Sequence, residues 1–245
     1  MPQVATVEEA FRTWDVRLTV LADSWQQLTQ VLPRVRADPA IRRTHLSVAT
    51  RLNTMGHQWR LDILAPEQQQ RLAALHTDVK RPVGAIPPHF TQMMTVLERD
   101  GRATSRQIAA ATGIHPTTAA RYLRHALESG LVSIRCELAQ EYSGYPVACQ
   151  WYARVPPDQL AAAERFLRSQ RTLRLCAATT GNANLTFFLW LRTPADIPDI
   201  EAGLQSAAPD ARIVESEVGV YTHKRMGWLL NPDSTATGDV VVRAT

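Results

Sequence analysis

The sequence is poor in lysine, in cysteine and in long apolar runs. Lys80 and Lys224 are the only lysines, so the net charge of +4 and the pI of about 9.2 rest on arginine, which favours a polyanionic partner. Three cysteines (Cys136, Cys149 and Cys176) are odd in number and far apart, which argues against a disulfide framework or a zinc knuckle. No apolar run reaches membrane-spanning length, and Met-Pro-Gln does not begin a signal peptide. We expect a cytoplasmic protein with no metal, no cofactor and no membrane contact.

The centre of the chain predicts two short helices joined by a tight glycine turn. Ile108, Ala109 and Thr112 are spaced to share one buried stripe of the first helix. Ser105 is the expected N-cap of that helix, since a serine hydroxyl can accept a hydrogen bond from a first-turn amide. Gly113 suits the left-handed position that ends it.

The second helix is expected to begin at Pro116 and to present opposite apolar and polar faces. Its apolar face comprises Ala119, Leu123, Ala126 and Leu127. Its polar face comprises Thr117, Thr118, Arg121 and His125, with Tyr122 and Arg124 at the margins. Gly130 should close the helix, and Leu131 to Ile134 should begin a strand that acts as a wing.

Such a unit is typical of helix-turn-helix proteins, whose second helix enters the major groove of double-stranded DNA. Hydroxyls at a helix N-terminus suit phosphate contacts, and arginines one turn later suit guanine edges or phosphates. The alternative is an ordinary solvated helix face. The candidate DNA-binding residues are Ser105, Arg106, Thr117, Thr118, Arg121, Tyr122, Arg124 and His125.

Four motifs together resemble the Lrp/AsnC family of feast/famine transcriptional regulators. They are Asp100-Gly101-Arg102, the Ile-Ala-Ala-Ala-Thr-Gly-Ile turn, Pro116-Thr-Thr and Leu127-Glu-Ser-Gly-Leu-Val. The family usually has serine where this chain has His115. The resemblance implies that a βαββαβ sheet domain, called RAM, follows the DNA-binding unit, mediates dimerisation and often binds amino-acid effectors.

The C-terminal part has the element order of such a domain. The expected strands are 147–155, 173–180, 185–191 and 211–221, and the expected helices are 159–169 and 196–207. This is the split βαβ, ferredoxin-like pattern.

The turn from Thr180 to Asn184 resembles the Gly-Asp-aromatic-Asp loop that lies near the family's effector pocket. The resemblance makes Thr180, Gly181, Asn182 and Asn184 the candidate effector-binding residues. Asparagines replace both acids, so we expect either a less cationic small molecule than an ordinary amino acid or no effector. A plain Gly-Asn turn is the alternative.

An internal repeat in the N-terminal third predicts part of a second RAM-like domain. Strand, helix and strand are expected at 14–21, 25–35 and 41–52, in the same order as in the downstream segment from Asn184 to Tyr221. Both copies end in Met-Gly followed by Trp, which favours this register. The alternative is that the N-terminal copy is the first strand, helix and second strand of a RAM domain. The resemblance thus extends to tandem-duplicated family members, with this chain starting inside the first unit. Half a sheet leaves an edge that must be covered.

The predicted fold class is therefore α+β, combining a winged helix-turn-helix, a ferredoxin-like RAM domain and an N-terminal partial RAM-like repeat. The expected ranges are 1–65 for the partial RAM-like domain, 66–86 for a linker with a short helix, 87–143 for the winged helix-turn-helix, 144–231 for the RAM domain and 232–245 for a flexible tail.

The sequence predicts a sequence-specific regulator that is not an enzyme and that forms a homodimer or a higher even oligomer. An architectural protein that bends DNA with little sequence preference is one alternative. A sirohaem-decarboxylase-like enzyme is another, although His223 is the only histidine of the predicted RAM domain.

Overall fold

The computed structural model describes residues 1–10, 13–54, 65–75 and 86–242 of the chain. The chain divides into two units. The sheet domain comprises residues 1–61 and 138–239, and the helical domain comprises residues 62–137 and 240–245. Among the described residues, no helix combines the length and hydrophobicity needed to cross a bilayer.

The helices and strands have the following bounds. The sheet domain begins with β1 (Val4–Ala10), β2 (Val16–Val20), α1 (Trp25–Arg36) and β3 (Ala49–Thr54). The helical domain contains α2 (Pro66–Leu75), α3 (Phe90–Arg99), α4 (Ser105–Thr112) and α5 (Pro116–Glu128). The sheet domain continues with β4 (Val147–Arg154), α6 (Leu160–Ser169), β5 (Leu173–Thr179), β6 (Leu185–Leu191), α7 (Ile197–Ala207), β7 (Arg212–Arg225), β8 (Trp228–Leu230) and β9 (Ala236–Val240).

The predicted βαββαβ pattern is confirmed. Its strands pair antiparallel in the order β7-β4-β6-β5, with α6 and α7 contributing to one apolar core. Strand alternation places Trp151 and Phe187 in this core, where both are fully buried and their rings stack at 5.2 Å. Burying large aromatic side chains such as these contributes strongly to the stability of a core.

The N-terminal segment does not form a separate domain, which corrects the predicted unit 1–65 for the described residues. Strand β1 pairs with β7, and β3 pairs with β5, so the segment extends both edges of the same sheet. The physical reason is that both edges of a four-stranded RAM sheet carry unpaired backbone groups, which added strands satisfy. The second predicted strand of the repeat is also shorter, because 41–48 is irregular.

The sheet curls strongly toward the face opposite α6 and α7. Arg17 lies on β2, whose strand neighbour is β1, yet its guanidinium reaches Glu217 on β7 and lies over the ring of Phe188 on β6. It also forms an ion pair with Glu8 at 3.0 Å. Burial alone would lower the pKa of Arg17, but the Glu8 carboxylate and the Tyr152 side chain together offset this and raise the pKa above its ordinary value.

Two further expectations need correction. The segment after α5 has no strand: residues 131–139 are irregular, although Val132 is buried and donates its N–H to the Ala126 carbonyl at 3.0 Å. The predicted flexible tail contains β9, which pairs with β8 because the turn at 231–235 is closed by hydrogen bonds between Asn231 and Thr235. The first Met-Gly…Trp repeat ending (55–59) and residues 76–85 of the predicted linker lie outside the described residues.

Candidate nucleic-acid interface

The helical domain is built around a small core that fixes α3, α4 and α5 against one another. The buried members of this core are Met93, Leu97, Ala103, Ile108, Ala109, Ala119, Ala126 and Val132. Alanines at the α4–α5 contact allow the two helices to approach closely. One face of α5 is therefore committed to packing, which leaves the other face exposed.

The start of α4 is held by a capping box, but not by the residue predicted. Thr104, rather than Ser105, is the N-cap: its hydroxyl accepts the Gln107 N–H, and the Gln107 side chain accepts the Thr104 N–H at 2.7 Å. Gln107 determines that Thr104 is the N-cap, because it lies three residues later and its side chain can form the second hydrogen bond of the box. Gly113 ends α4 at φ 71°, as predicted for a left-handed C-terminal position.

His115 caps α5 in the place where the family usually has serine. Its Nδ1 accepts the backbone N–H of Thr117 at 3.4 Å and lies 2.9 Å from the Thr117 hydroxyl. Pro116 occupies the first turn as predicted. Gly130 has a φ of 72°, which is consistent with its predicted role in ending the helix.

The exposed stripe of α5 consists of Thr117, Arg121 and Arg124, which follow the i, i+4, i+7 spacing of one helix face. Arg124 therefore lies on the face itself and not at its margin. Within the described part of the chain, neither arginine forms an ion pair or a hydrogen bond through its guanidinium. Glu128 continues this face four residues after Arg124, but it forms no ion pair with either arginine.

The other candidate residues flank this stripe. Arg106 is exposed on α4, and Ser105 is half-buried in its first turn. Thr118 and His125 are half-buried on one side of α5. Leu127 is 37% exposed, so it does not belong to the buried face as predicted. Its helical angle places it between the core and the exposed stripe.

Tyr122 is also half-buried and packs against the helical core. The guanidinium carbon of Arg121 lies 4.7 Å from the centroid of its ring. Arg102 is exposed beside α4. The sequence indicates it only as part of a family motif and not as a candidate DNA-binding residue. Arg135, in the segment predicted as a wing, is engaged by Glu137 at 2.6 Å.

The loop between β5 and β6 places the four candidate effector residues together, but most of their polar groups are already engaged. Thr180 exchanges hydrogen bonds with Val48, whose N–H reaches the threonine hydroxyl at 3.0 Å. The Asn184 amide accepts the Val155 N–H at 2.8 Å and donates to the Val155 carbonyl at 2.7 Å. Asn182 is exposed, and Gly181 accepts a long hydrogen bond from Arg154 at 3.5 Å.

A groove of about 540 Å³ in the sheet domain lies away from this loop. Three acids, Glu8, Glu141 and Asp233, line it together with Tyr221. Hydrogen bonds from Thr235 hold the pKa of Asp233 below its ordinary value. Among the described residues, no group of three histidine, cysteine or acidic side chains is arranged to hold a metal ion.

Comparison with known proteins agrees with this geometry. The winged helix-turn-helix DNA-binding family matches residues 92–133, which include α4 and α5. A search of curated proteins finds no match to the chain.

Several solved structures are similar to part of the chain. The feast or famine regulatory protein of M. tuberculosis, complexed with L-methionine, superposes with a TM-score of 0.50 at 18% identity, over 55% of this chain and 91% of that one. A transcriptional regulator of Neisseria meningitidis in complex with L-Met gives 0.48 at 13% identity, over 63% and 96%. LrpC of B. subtilis gives 0.44 at 18% identity, over 51% and 88%.

The predicted combination of a helix-turn-helix with a RAM-type sheet is therefore confirmed as a fold: residues 92–133 match the winged helix-turn-helix DNA-binding family, and the fold is similar to that of the solved feast or famine regulatory protein.

Proposed function

We propose that the chain is a cytoplasmic transcriptional regulator of the Lrp/AsnC type that binds double-stranded DNA sequence-specifically through α5. The exposed stripe of Thr117, Arg121 and Arg124 carries this proposal, because its two guanidinium groups form no ion pair or hydrogen bond in the described part of the chain. Exposed arginines on a recognition helix are suited to phosphates and guanine edges. The match of residues 92–133 to winged helix-turn-helix DNA-binding domains supports it.

The test begins with selection of preferred duplexes from a random pool, followed by fluorescence anisotropy at fixed salt. We expect the selected duplex to bind at least roughly a thousandfold more tightly than unrelated DNA, as specific regulators do. The double variant Arg121→Ala/Arg124→Ala should lose this binding and reduce the dependence of affinity on salt.

Arg192→Ala is the matched control, because Arg192 is an exposed arginine of the sheet domain. Equal affinity for every duplex would replace the proposal with the architectural alternative. Unchanged binding by the double variant would show that α5 is not the DNA-binding face.

We also propose a homodimer, or a higher even oligomer, that presents two reading helices about one DNA turn apart. Exposed apolar residues of β7 support this part: Val214, Val218 and Val220 are 41–51% exposed. Light scattering at micromolar concentration should give twice the chain mass. A monomer that keeps full DNA affinity would contradict it.

Control by a small molecule resembling an amino acid is the last part of the proposal, and the two regulators solved with L-methionine support it. We assign the contact to Asn182, since Thr180 and Asn184 already bond to neighbouring backbone. Calorimetry against the twenty amino acids tests this. Saturable binding should disappear in Asn182→Ala, and binding that survives this change would remove the loop from the proposal.

We propose no catalytic role. The histidine of the RAM region, His223, forms a hydrogen bond with Glu9 on the neighbouring strand. A purified protein that carries a tetrapyrrole and decarboxylates it would contradict this part.

A further inference from the structure

On α5 the guanidinium of exposed Arg121 lies over the ring of half-buried Tyr122, the next residue in the chain. The guanidinium carbon of Arg121 lies 4.7 Å from the ring centroid of Tyr122. Consecutive helix positions do not normally face each other, so the Arg121 side chain must turn across the helix surface to reach the ring. The pair is therefore a definite conformation of the arginine and not a consequence of sequence neighbourhood.

The ring is anchored, whereas the arginine is not otherwise held. Tyr122 is half-buried and packs against the core of the helical domain. Arg121 is exposed and forms no ion pair within the described residues. Arg124, one turn later on the same stripe, is also exposed but stacks on no aromatic ring in that part of the chain. Two arginines on one face are thus held very differently.

Stacking leaves the hydrogen-bonding capacity of Arg121 intact. The five N–H donors of a guanidinium lie in its plane, so a ring that lies against one face of that plane leaves them available. Ordering the side chain before binding removes part of the entropy that a mobile arginine would lose on DNA. A flat guanidinium with free edge donors matches the O6 and N7 acceptors of guanine in the major groove.

We propose that Arg121 determines base specificity by recognising guanine, and that Tyr122 is the positioning residue that holds its guanidinium flat for that contact. Arg124, which lacks a platform, contacts phosphate. This inference rests on the proposed DNA binding through α5.

The experiment uses the full chain and a duplex selected from a random pool, together with its single-base variants. Anisotropy at fixed salt measures the preference for the selected base at each position and the overall affinity. The variants are Arg121→Lys, Tyr122→Phe, Tyr122→Leu and Arg124→Ala. Arg192→Lys is the matched control, since Arg192 lies 5.5 Å over Tyr145 in a similar exposed pair of the sheet domain.

Arg121→Lys should reduce the preference for one G·C pair by roughly 5- to 150-fold, because lysine cannot make the planar bidentate contact. Tyr122→Leu, which keeps an apolar side chain in the core but removes the ring, should reduce the same preference by roughly 2- to 5-fold. Tyr122→Phe, which keeps the aromatic ring, should retain the wild-type preference for that G·C pair. Arg124→Ala should weaken binding to all duplexes alike and lower the salt dependence.

Three outcomes would overturn the inference. If Arg121→Lys weakens every duplex equally, Arg121 contacts phosphate. If Tyr122→Leu and Tyr122→Phe leave the same base preference, the ring does not position Arg121. A wild-type chain that binds no duplex at all would instead refute the proposed function, and this inference with it. Unfolding of the helices followed by circular dichroism shows whether each variant remains folded. Arg121→Lys changes an exposed residue, so it tests the inference without altering the core.

Discussion

Charged and polar groups are used in opposite ways on α5 and in the sheet domain. On α5 the guanidinium groups of Arg121 and Arg124 have no ion-pair partner among the described residues. In the sheet domain Arg17 is shared between Glu8 and Glu217, and both carboxylates are buried. An arginine that is satisfied internally contributes to the fold, whereas an unpaired exposed arginine is available to a partner.

The loop between β5 and β6 follows the pattern of the sheet domain and not that of α5. Its Asn184 amide uses both its donor and its acceptor on the backbone of Val155. Asn182, two residues earlier, is exposed. A loop that resembles a binding motif can thus consist mainly of side chains that hold the loop in place. Burial and hydrogen-bond partners distinguish such a structural role from ligand binding.

The largest effect is expected from the buried ion pairs. Arg17→Ala should lower the free energy of unfolding of the sheet domain by about 3–5 kcal/mol, because Glu8 and Glu217 would lose their shared cation in a buried setting. Urea unfolding followed by tryptophan fluorescence measures this domain, since none of the six tryptophans lies between residues 86 and 137. By contrast, Arg121→Ala should leave the transition unchanged. A negligible effect of Arg17→Ala would mean that the exposed and buried arginines do not differ as proposed.

A smaller effect is expected in the β5–β6 loop. Asn184→Ala should cost the sheet domain about 1–3 kcal/mol, since the N–H and carbonyl of the buried Val155 would lose their partners. Asn182→Ala is the matched control and should be close to neutral. The same fluorescence assay applies, and equal stability of the two variants would refute the structural role of Asn184.

The cap of α4 should give a still smaller effect. Thr104→Ala should destabilise the helical domain by about 0.5–2 kcal/mol, because it removes the hydroxyl that accepts the Gln107 N–H. Ser105→Ala, at the neighbouring position first expected to be the cap, should have little effect. Thermal unfolding followed by circular dichroism at 222 nm compares them, with the reverse order contradicting the assignment.

Labelling the exposed thiol should not change stability, but the cysteines of the two domains should differ in their reactivity toward a thiol reagent. Burial raises the pKa of Cys149 to about 12 and that of Cys176 to about 11, so neither forms much thiolate at neutral pH. Cys136 is exposed. A thiol reagent at pH 7–8 should therefore label one cysteine per native chain, and none in Cys136→Ser.

Cys149 and Cys176 should react only when the pH approaches their raised pKa values, because their thiolates form only there. Addition of urea should expose all three cysteines. Rapid labelling of two or three thiols in the native protein would show that the sheet core opens readily.

Local patterns made the helical domain largely predictable from sequence. Glycine at the turn, Pro116 in the first turn of α5 and alanines at helical spacing each depend on residues only a few positions apart. Two wrong predictions in this domain, the N-cap of α4 and the wing strand, were also local. Thr104 and Ser105 are both good capping residues, and only the hydrogen bond returned by Gln107 distinguishes them. The expected wing strand lacks a pairing partner among the described residues, so its sequence alone could not make it a strand.

The amino-acid sequence by itself determined the order of helices and strands in the βαββαβ part, the helix-turn-helix and the polar stripe of α5, because hydrophobic periodicity and turn residues act over short distances. Only the tertiary structure decided where the N-terminal strands pair, that Arg17 crosses the curled sheet, and that Asn184 is hydrogen-bonded to backbone while Arg121 has no ion-pair partner among the described residues. Those outcomes depend on contacts between residues up to about two hundred positions apart, such as Arg17 with Glu217. Strand edges accept any compatible partner, and the sequence of one strand does not identify which partner it will meet.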